Sequence, residues 1–124
     1  MKNYQGKTIA AVLMEIPDRV KQRAEDYLSD SKVRSVKYRR DGLDPNEFEA
    51  FIVEQEEVVL MPGIEVDETL KIKDIHCSCE TSKEFCIHEV ALLIAADLMI
   101  KTGSCDYHLA KQWIESVPIT SILQ

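Results

Sequence analysis

Residues 76–88 read His76-Cys77-Ser78-Cys79, six further residues, then Cys86-Ile87-His88. Three thiols and an imidazole within so short a window make a Cys3His donor set, which suits a tetrahedral Zn²⁺ ion. On a strand, side chains two apart share a face, so Cys77 and Cys79 are expected to present both sulfurs to one point. Cys86 and His88 fall where the chain enters a long apolar helix. Thiolates are favoured there by the unsatisfied amides and the positive dipole end. Four protein ligands leave no open coordination position, so the expected ion is a single structural one. His76, on the same strand, should face away from Cys77 and lie at the surface. Cys105 and His108 stand three apart on a helix, but a lone pair cannot close a zinc site, and Cys105 reads as a small apolar residue.

The flanking pattern has to build a scaffold for those four residues. Ile9, Val12, Leu13 and Ile16 recur at helical spacing, although the apolar run 10–13 would also serve as a buried strand. Pro17 suits the first turn of a second helix, with Asp18 at its positive end. Val20, Ala24, Tyr27 and Leu28 form the buried stripe of that helix, and residues 29–31 end it. Between residues 33 and 75 the period changes to short β-type runs at 33–38, 48–53, 58–61 and 70–73. Breaks at Asp41-Gly42, 54–57 and Pro62-Gly63 separate them. Together they predict a small, mostly antiparallel sheet. The helix over Ile87–Thr102 is apolar round most of its circumference, with Glu89, Asp97 and Lys101 on one ridge, so more than one neighbour must cover it. Gly103 should end it in a left-handed cap. Leu93 and Ile100 lie near the polar ridge, where they either form a partner surface or are buried by the terminal helices. A last helix should turn Leu109, Ala110, Trp113 and Val117 inward and stop at Pro118.

The expected class is therefore α+β in a single domain over residues 1–124. Residues 1–31 form a helical arm, residues 32–102 hold sheet, zinc site and long helix, and residues 103–124 hold the last helix. A length of 124 residues with 45% apolar and 30% charged residues fits one such domain rather than a disordered tail. Fifteen Lys and Arg against twenty-two Asp and Glu leave a formal charge of −7, which argues against non-specific coating of nucleic acid. The apolar tract over residues 87–100 carries His88, Glu89 and Asp97 and falls short of the roughly 20 residues that a bilayer requires. With no membrane segment or leader pattern in view, an intracellular location is expected. There structural disulfides are uncommon, and the four cysteines need another use.

The pattern Cys77-x-Cys79, six residues, Cys86-x-His88 closely resembles the SWIM zinc finger. The resemblance covers approximately residues 48–100. It implies a β-β-α module in which the first cysteine pair lies on a strand or its turn and Cys-x-His opens a hydrophobic helix. Many family members have Pro after the second cysteine and a basic residue between the third cysteine and the histidine. This chain has Glu80 and Ile87 instead, which removes charge that could meet phosphate. The layout of helical arm, one SWIM motif and a C-terminal helix is similar to the stand-alone SWIM subunits of Shu-type complexes. That likeness implies an adaptor whose protein partner is a RecA-family recombinase paralogue in homologous recombination and DNA repair.

Two other functions compete with that expectation. Lys32, Arg34, Lys37, Arg39 and Arg40 form one basic cluster, in which Arg34, Lys37, Arg39 and Arg40 are the candidate contacts of a direct DNA- or RNA-binding finger, with Tyr38 available to stack on a base. Strand alternation splits the cluster, and charges on a strand edge also discourage edge pairing. A Cys–His nucleophilic enzyme is disfavoured, because Cys86 and His88 are both expected on the metal, which removes the free thiolate and base. With the ligand set closed no enzyme activity is expected, and no glycine-rich phosphate loop is present, so ATP use would have to come from a partner.

Overall fold

The computed structural model describes residues 4–30, 32–39, 46–55, 58–79 and 86–116; at residues 55 and 114–116 only the backbone is described. The chain order is α1 (Ile9–Glu15), α2 (Asp18–Ser29), β1 (Val33–Arg39), β2 (Asn46–Gln55), β3 (Val58–Leu60), β4 (Gly63–Val66), β5 (Ile72–His76), α3 (Ile87–Thr102) and α4 (Tyr107–Ser116). All strand pairs are antiparallel, in the order β1-β2-β4-β5, and β3 pairs with the far end of β2. The fold is mixed α+β, with four helices and a small antiparallel sheet among the described residues.

Helix α3 lies against β1, β2 and β4, and α1, α2 and α4 pack round it. That arrangement answers the question its composition raises. Val90, Ala91, Leu92, Leu93, Ala95, Ala96 and Met99 are all buried, against Phe48, Ala50 and Ile52 of β2 and Ile64 and Val66 of β4 in one core. Each such large side chain contributes roughly 1.5–3 kcal/mol through removal from water. Leu93 is fully buried, so the neighbouring helices cover it, whereas Ile100 remains 36% exposed. Glu89 of the expected polar ridge is buried, and Asp97 and Lys101 pair with each other at 2.8 Å.

The helix ends follow local chemistry. The Thr8 side chain accepts from the Ala11 amide and caps α1, and Asp18 sits in the first turn of α2 after Pro17. Gly103 takes φ 68°, with its amide directed to Ile100 O and the Ser104 amide to Met99 O. This is the left-handed cap its position predicts. Gly103→Ala is expected to cost about 1 kcal/mol, because a Cβ in that region meets the following carbonyl. Chemical denaturation of the two proteins checks it.

Three expectations are corrected. The β run placed at 70–73 is shifted, because Leu70 itself adopts φ 66° and the strand begins at Ile72. Asp67 builds the turn before it, its Oδ1 accepting from Thr69 N, Thr69 Oγ1 and Lys71 N, and these bonds hold its carboxyl below the ordinary range. Pro62-Gly63, expected as a break, instead leads into β4, a strand absent from the expected set. Leu109 and Trp113, expected inward, are 61% and 54% exposed, and α4 docks through Tyr107 and Ala110. Val117 and Pro118, the Asp41-Gly42 turn and Arg40 lie outside the described residues. Among the described residues, no helix is long and apolar enough to cross a membrane.

Candidate metal centre

Strand β5 ends at His76, so Cys77 and Cys79 stand just beyond it, and residues 78–79 form a turn. The shared face of a strand is therefore not what gathers the two thiols. The turn does so, and it is fixed from outside, because the Met61 amide donates to Ser78 Oγ at 3.0 Å. From the other side, buried Cys86 is the N-cap residue of α3, and its carbonyl accepts from the Val90 amide at 3.0 Å. His88 stands in the first turn of the same helix.

These placements bring Cys77, Cys79, Cys86 and His88 together, with their four donor atoms all within 4.8 Å of one another. Cys79 Sγ lies 3.4 Å from Cys86 Sγ, far beyond the roughly 2.05 Å of a disulfide, and Cys86 Sγ lies 3.5 Å from His88 Nδ1. All four cysteines among the described residues are free thiols. The group could hold a metal ion, with Nδ1 as the imidazole donor. His76 does not join it: its ring lies 3.6 Å from Glu47 on a half-exposed face. Cys105 is exposed, and His108 donates through Nε2 to the Arg34 carbonyl at 3.2 Å, so neither contributes to a metal cluster.

The other nitrogen of His88 is held too. Nε2 is 2.8 Å from Glu54 Oε2, and the Tyr27 hydroxyl donates to the same carboxylate at 2.6 and 2.9 Å. The Tyr27 ring meets His88 edge-on at 5.5 Å, and Lys32 Nζ sits 4.7 Å above that ring. The chain α2, β2, α3 is thereby joined through Tyr27, Glu54 and His88. Sequence spacing does not single out Glu54, which lies in the break expected at 54–57. Its parity does: Phe48, Ala50 and Ile52 point inward, and Glu54 continues that series as a carboxylate at an inward position.

Protonation follows from these contacts. Hydrogen bonds from the Cys77 thiol, His88 and the Glu89 amide overcome burial and lower the Cys86 thiol to about 3, while Cys77, the donor to that thiolate, is raised. His88 is raised to about 9, chiefly by Cys86 and, against its burial, by Glu54. Glu54 is lowered by its bond from Tyr27 and then by His88. Tyr27 rises to about 12 through burial and Glu54. Without metal the centre is a thiolate–imidazolium pair steadied by a carboxylate.

No family model, curated protein or solved structure matches the chain. What the centre does must therefore be argued from its own donors and surroundings.

The Glu54 contact makes a prediction of its own. Partners that hold a ligating histidine typically contribute 10–100-fold in metal affinity. Glu54→Ala should weaken metal binding by about that factor, and Glu54→Gln, whose amide oxygen still accepts from Nε2–H, by less. Competition with a chromogenic chelator measures both.

The basic cluster is less coherent than its sequence. Arg34 and Lys37 are exposed on β1, but Arg39 is tied to Glu49, with Nε at 3.2 Å and Nη2 at 3.1 Å, and reaches Glu47 at 3.6 Å. Tyr38 stacks on buried Phe48 at 4.4 Å between centroids and is only half-exposed, which removes most of its face from any base.

Proposed function

We propose that the chain is a zinc-stabilised, SWIM-like adaptor that binds another protein, and that its partner is a RecA-family recombinase paralogue acting in homologous recombination. The observation that carries this reading is the convergence of Cys77, Cys79, Cys86 and His88 where the turn after β5 meets the start of α3. Tetrahedral Zn²⁺ with bonds of about 2.3 Å to sulfur and 2.0 Å to nitrogen requires S···S near 3.8 Å and S···N near 3.5 Å. The separations of 3.4 and 3.5 Å lie within a few tenths of an ångström of those edges. Three soft sulfurs with one imidazole favour zinc over harder cations such as Mg²⁺ or Ca²⁺. A closed donor set supports a structural rather than a catalytic ion.

An adaptor role is supported by what the fold leaves uncovered. Phe51, Val58, Val59 and Met61 are about half exposed where β2 meets β3, and apolar residues gathered at one place mark interaction surfaces more often than scattered ones do. The net charge of −7 and the engagement of Arg39 by Glu47 and Glu49 weigh against a phosphate-binding surface. The recombination partner is supported by the resemblance of the cysteine–histidine motif and of the overall layout to the SWIM subunits of Shu-type complexes.

Affinity purification of the tagged chain from its own cells, followed by mass spectrometry, tests the partner. Enrichment of an ATPase-type recombinase paralogue that is lost on Phe51→Asp is the expected result. Absence of any such paralogue removes the recombination assignment. A tight complex with bare DNA or RNA that weakens steeply with salt and on Lys37→Ala would instead favour a direct nucleic-acid finger.

A further inference from the structure

The face of the sheet turned away from α3 carries a row of acidic residues, bordered on β1 by Lys37 and Arg39, which stand opposite Glu49 and Glu47. Glu47 on β2 stands opposite Glu65 on β4, Glu65 stands opposite Asp74 on β5, and Glu49 is opposite Gly63, which in turn is opposite His76. Like charges placed directly across a sheet are destabilising unless a cation answers them. Arg39 answers only part of the row: it pairs with Glu49 and with Oε2 of Glu47, while Oε1 of Glu47 is the atom 3.6 Å from His76 Nε2. Glu47 is nonetheless among the few charged residues buried in the fold.

The donor atoms of Glu47, Glu65 and His76 lie within 4.8 Å of one another. Gly63 makes this convergence possible. A Cβ at that position would stand 2.5 Å from Glu47 Oε1 and 2.7 Å from His76 Nε2, so no other residue leaves room for the carboxylate and the imidazole to close over the strand. Gly63 does not have the positive φ of Gly6 and Gly103, so its backbone does not demand glycine. The space above it does.

We propose that Glu47, Glu65 and His76 form a second divalent metal site, open to solvent, for a borderline first-row transition ion. One imidazole and two carboxylates suit Zn²⁺, Co²⁺ or Mn²⁺ better than the hard cations, which take oxygen alone. Two carboxylates also neutralise a divalent charge. Three protein donors leave positions for water, unlike the closed cysteine cluster. Arg39 beside Oε2 limits the affinity, and the site fills at higher metal concentration than the cysteines do. Its donors differ from those of the cysteine cluster, so the two sites stand or fall separately.

Cobalt distinguishes them. Protein carrying one equivalent of Zn²⁺ on the cysteines is titrated with Co²⁺ and followed by visible absorption and equilibrium dialysis. A second, saturable equivalent with weak d–d bands and no thiolate-to-cobalt charge transfer is expected. His76→Ala, Glu65→Gln and Gly63→Ala should each weaken it by about tenfold or more, while retaining the first zinc equivalent and the wild-type circular dichroism. His76 and Glu65 are not core residues, so their replacement leaves the fold intact to be tested. The site is overturned by absence of a second equivalent, by cobalt that enters only with thiolate bands, or by binding unchanged in both His76→Ala and Glu65→Gln.

Discussion

Removing metal with a strong chelator at neutral pH should abolish the cooperative melt of this chain, and Cys77→Ser or Cys86→Ser should do the same. Apparent binding free energies for structural zinc in small modules are roughly 10–16 kcal/mol, and a whole domain is typically stable by about 5–15 kcal/mol. Losing the larger quantity leaves the turn after β5 tied to the start of α3 by the thiol contacts of Cys77 and Cys79 with Cys86, beside the Cys86–His88 pair with Glu54. That pair has a defined pH range. His88 has its folded pKa raised to about 9, so its stabilisation is complete below the ordinary value of 6.5 and disappears as pH rises through 9. Metal has the opposite dependence, because the protons held by Cys77 and His88 must leave before both can ligate. Metal affinity should rise with pH, and binding at pH 7 should release protons, measurable as a buffer-dependent heat. Cys105→Ser is the control: the thiol is exposed and outside the cluster, and its loss should leave metal content and melting unchanged. Near-native melting of fully metal-free protein would refute the structural role.

How much of this was legible depended on whether the controlling interaction was local. The start of α2 after Pro17, the run of α3 and its end at Gly103 follow from residues adjacent in sequence, and the structure has them where spacing puts them. The four cysteine–histidine donors were legible for the same reason. The means of gathering them was not, because the turn at Ser78 depends on an amide seventeen residues earlier. Strand β5 was displaced by Leu70, a residue type that rarely adopts a positive φ and does so here because Asp67 binds the turn round it. Gly63 looked like punctuation because its side chains of consequence, Glu47 and His76, belong to other strands. Leu109 and Trp113 had helical spacing with Ala110, but the docking face of α4 is set by Tyr107 and Ala110 alone among the residues with described side chains.

Leu93→Ala should then reveal how strongly core and metal centre depend on one helix. Leu93 is fully buried in the middle of α3, and truncation at such a site removes about 2–5 kcal/mol according to how far the surroundings relax. The two ends of the argument meet in the same sixteen-residue element, since α3 begins at the residue after Cys86 and carries His88 in its first turn. A ligand that binds only the folded state adds about 4.1 kcal/mol at a thousand times its dissociation constant. Metal at saturation should therefore offset most of the cavity, leaving a folded variant with a lowered melting temperature. The same variant in chelator should show no cooperative transition at all. Leu109→Ser, on an exposed position of α4, should change stability by no more than about 0.5 kcal/mol with metal bound. Thermal melts of both variants with and without metal measure this directly. A cooperative transition of Leu93→Ala in chelator would mean that α3 folds independently of its ligands, and the coupling of centre to core would be lost.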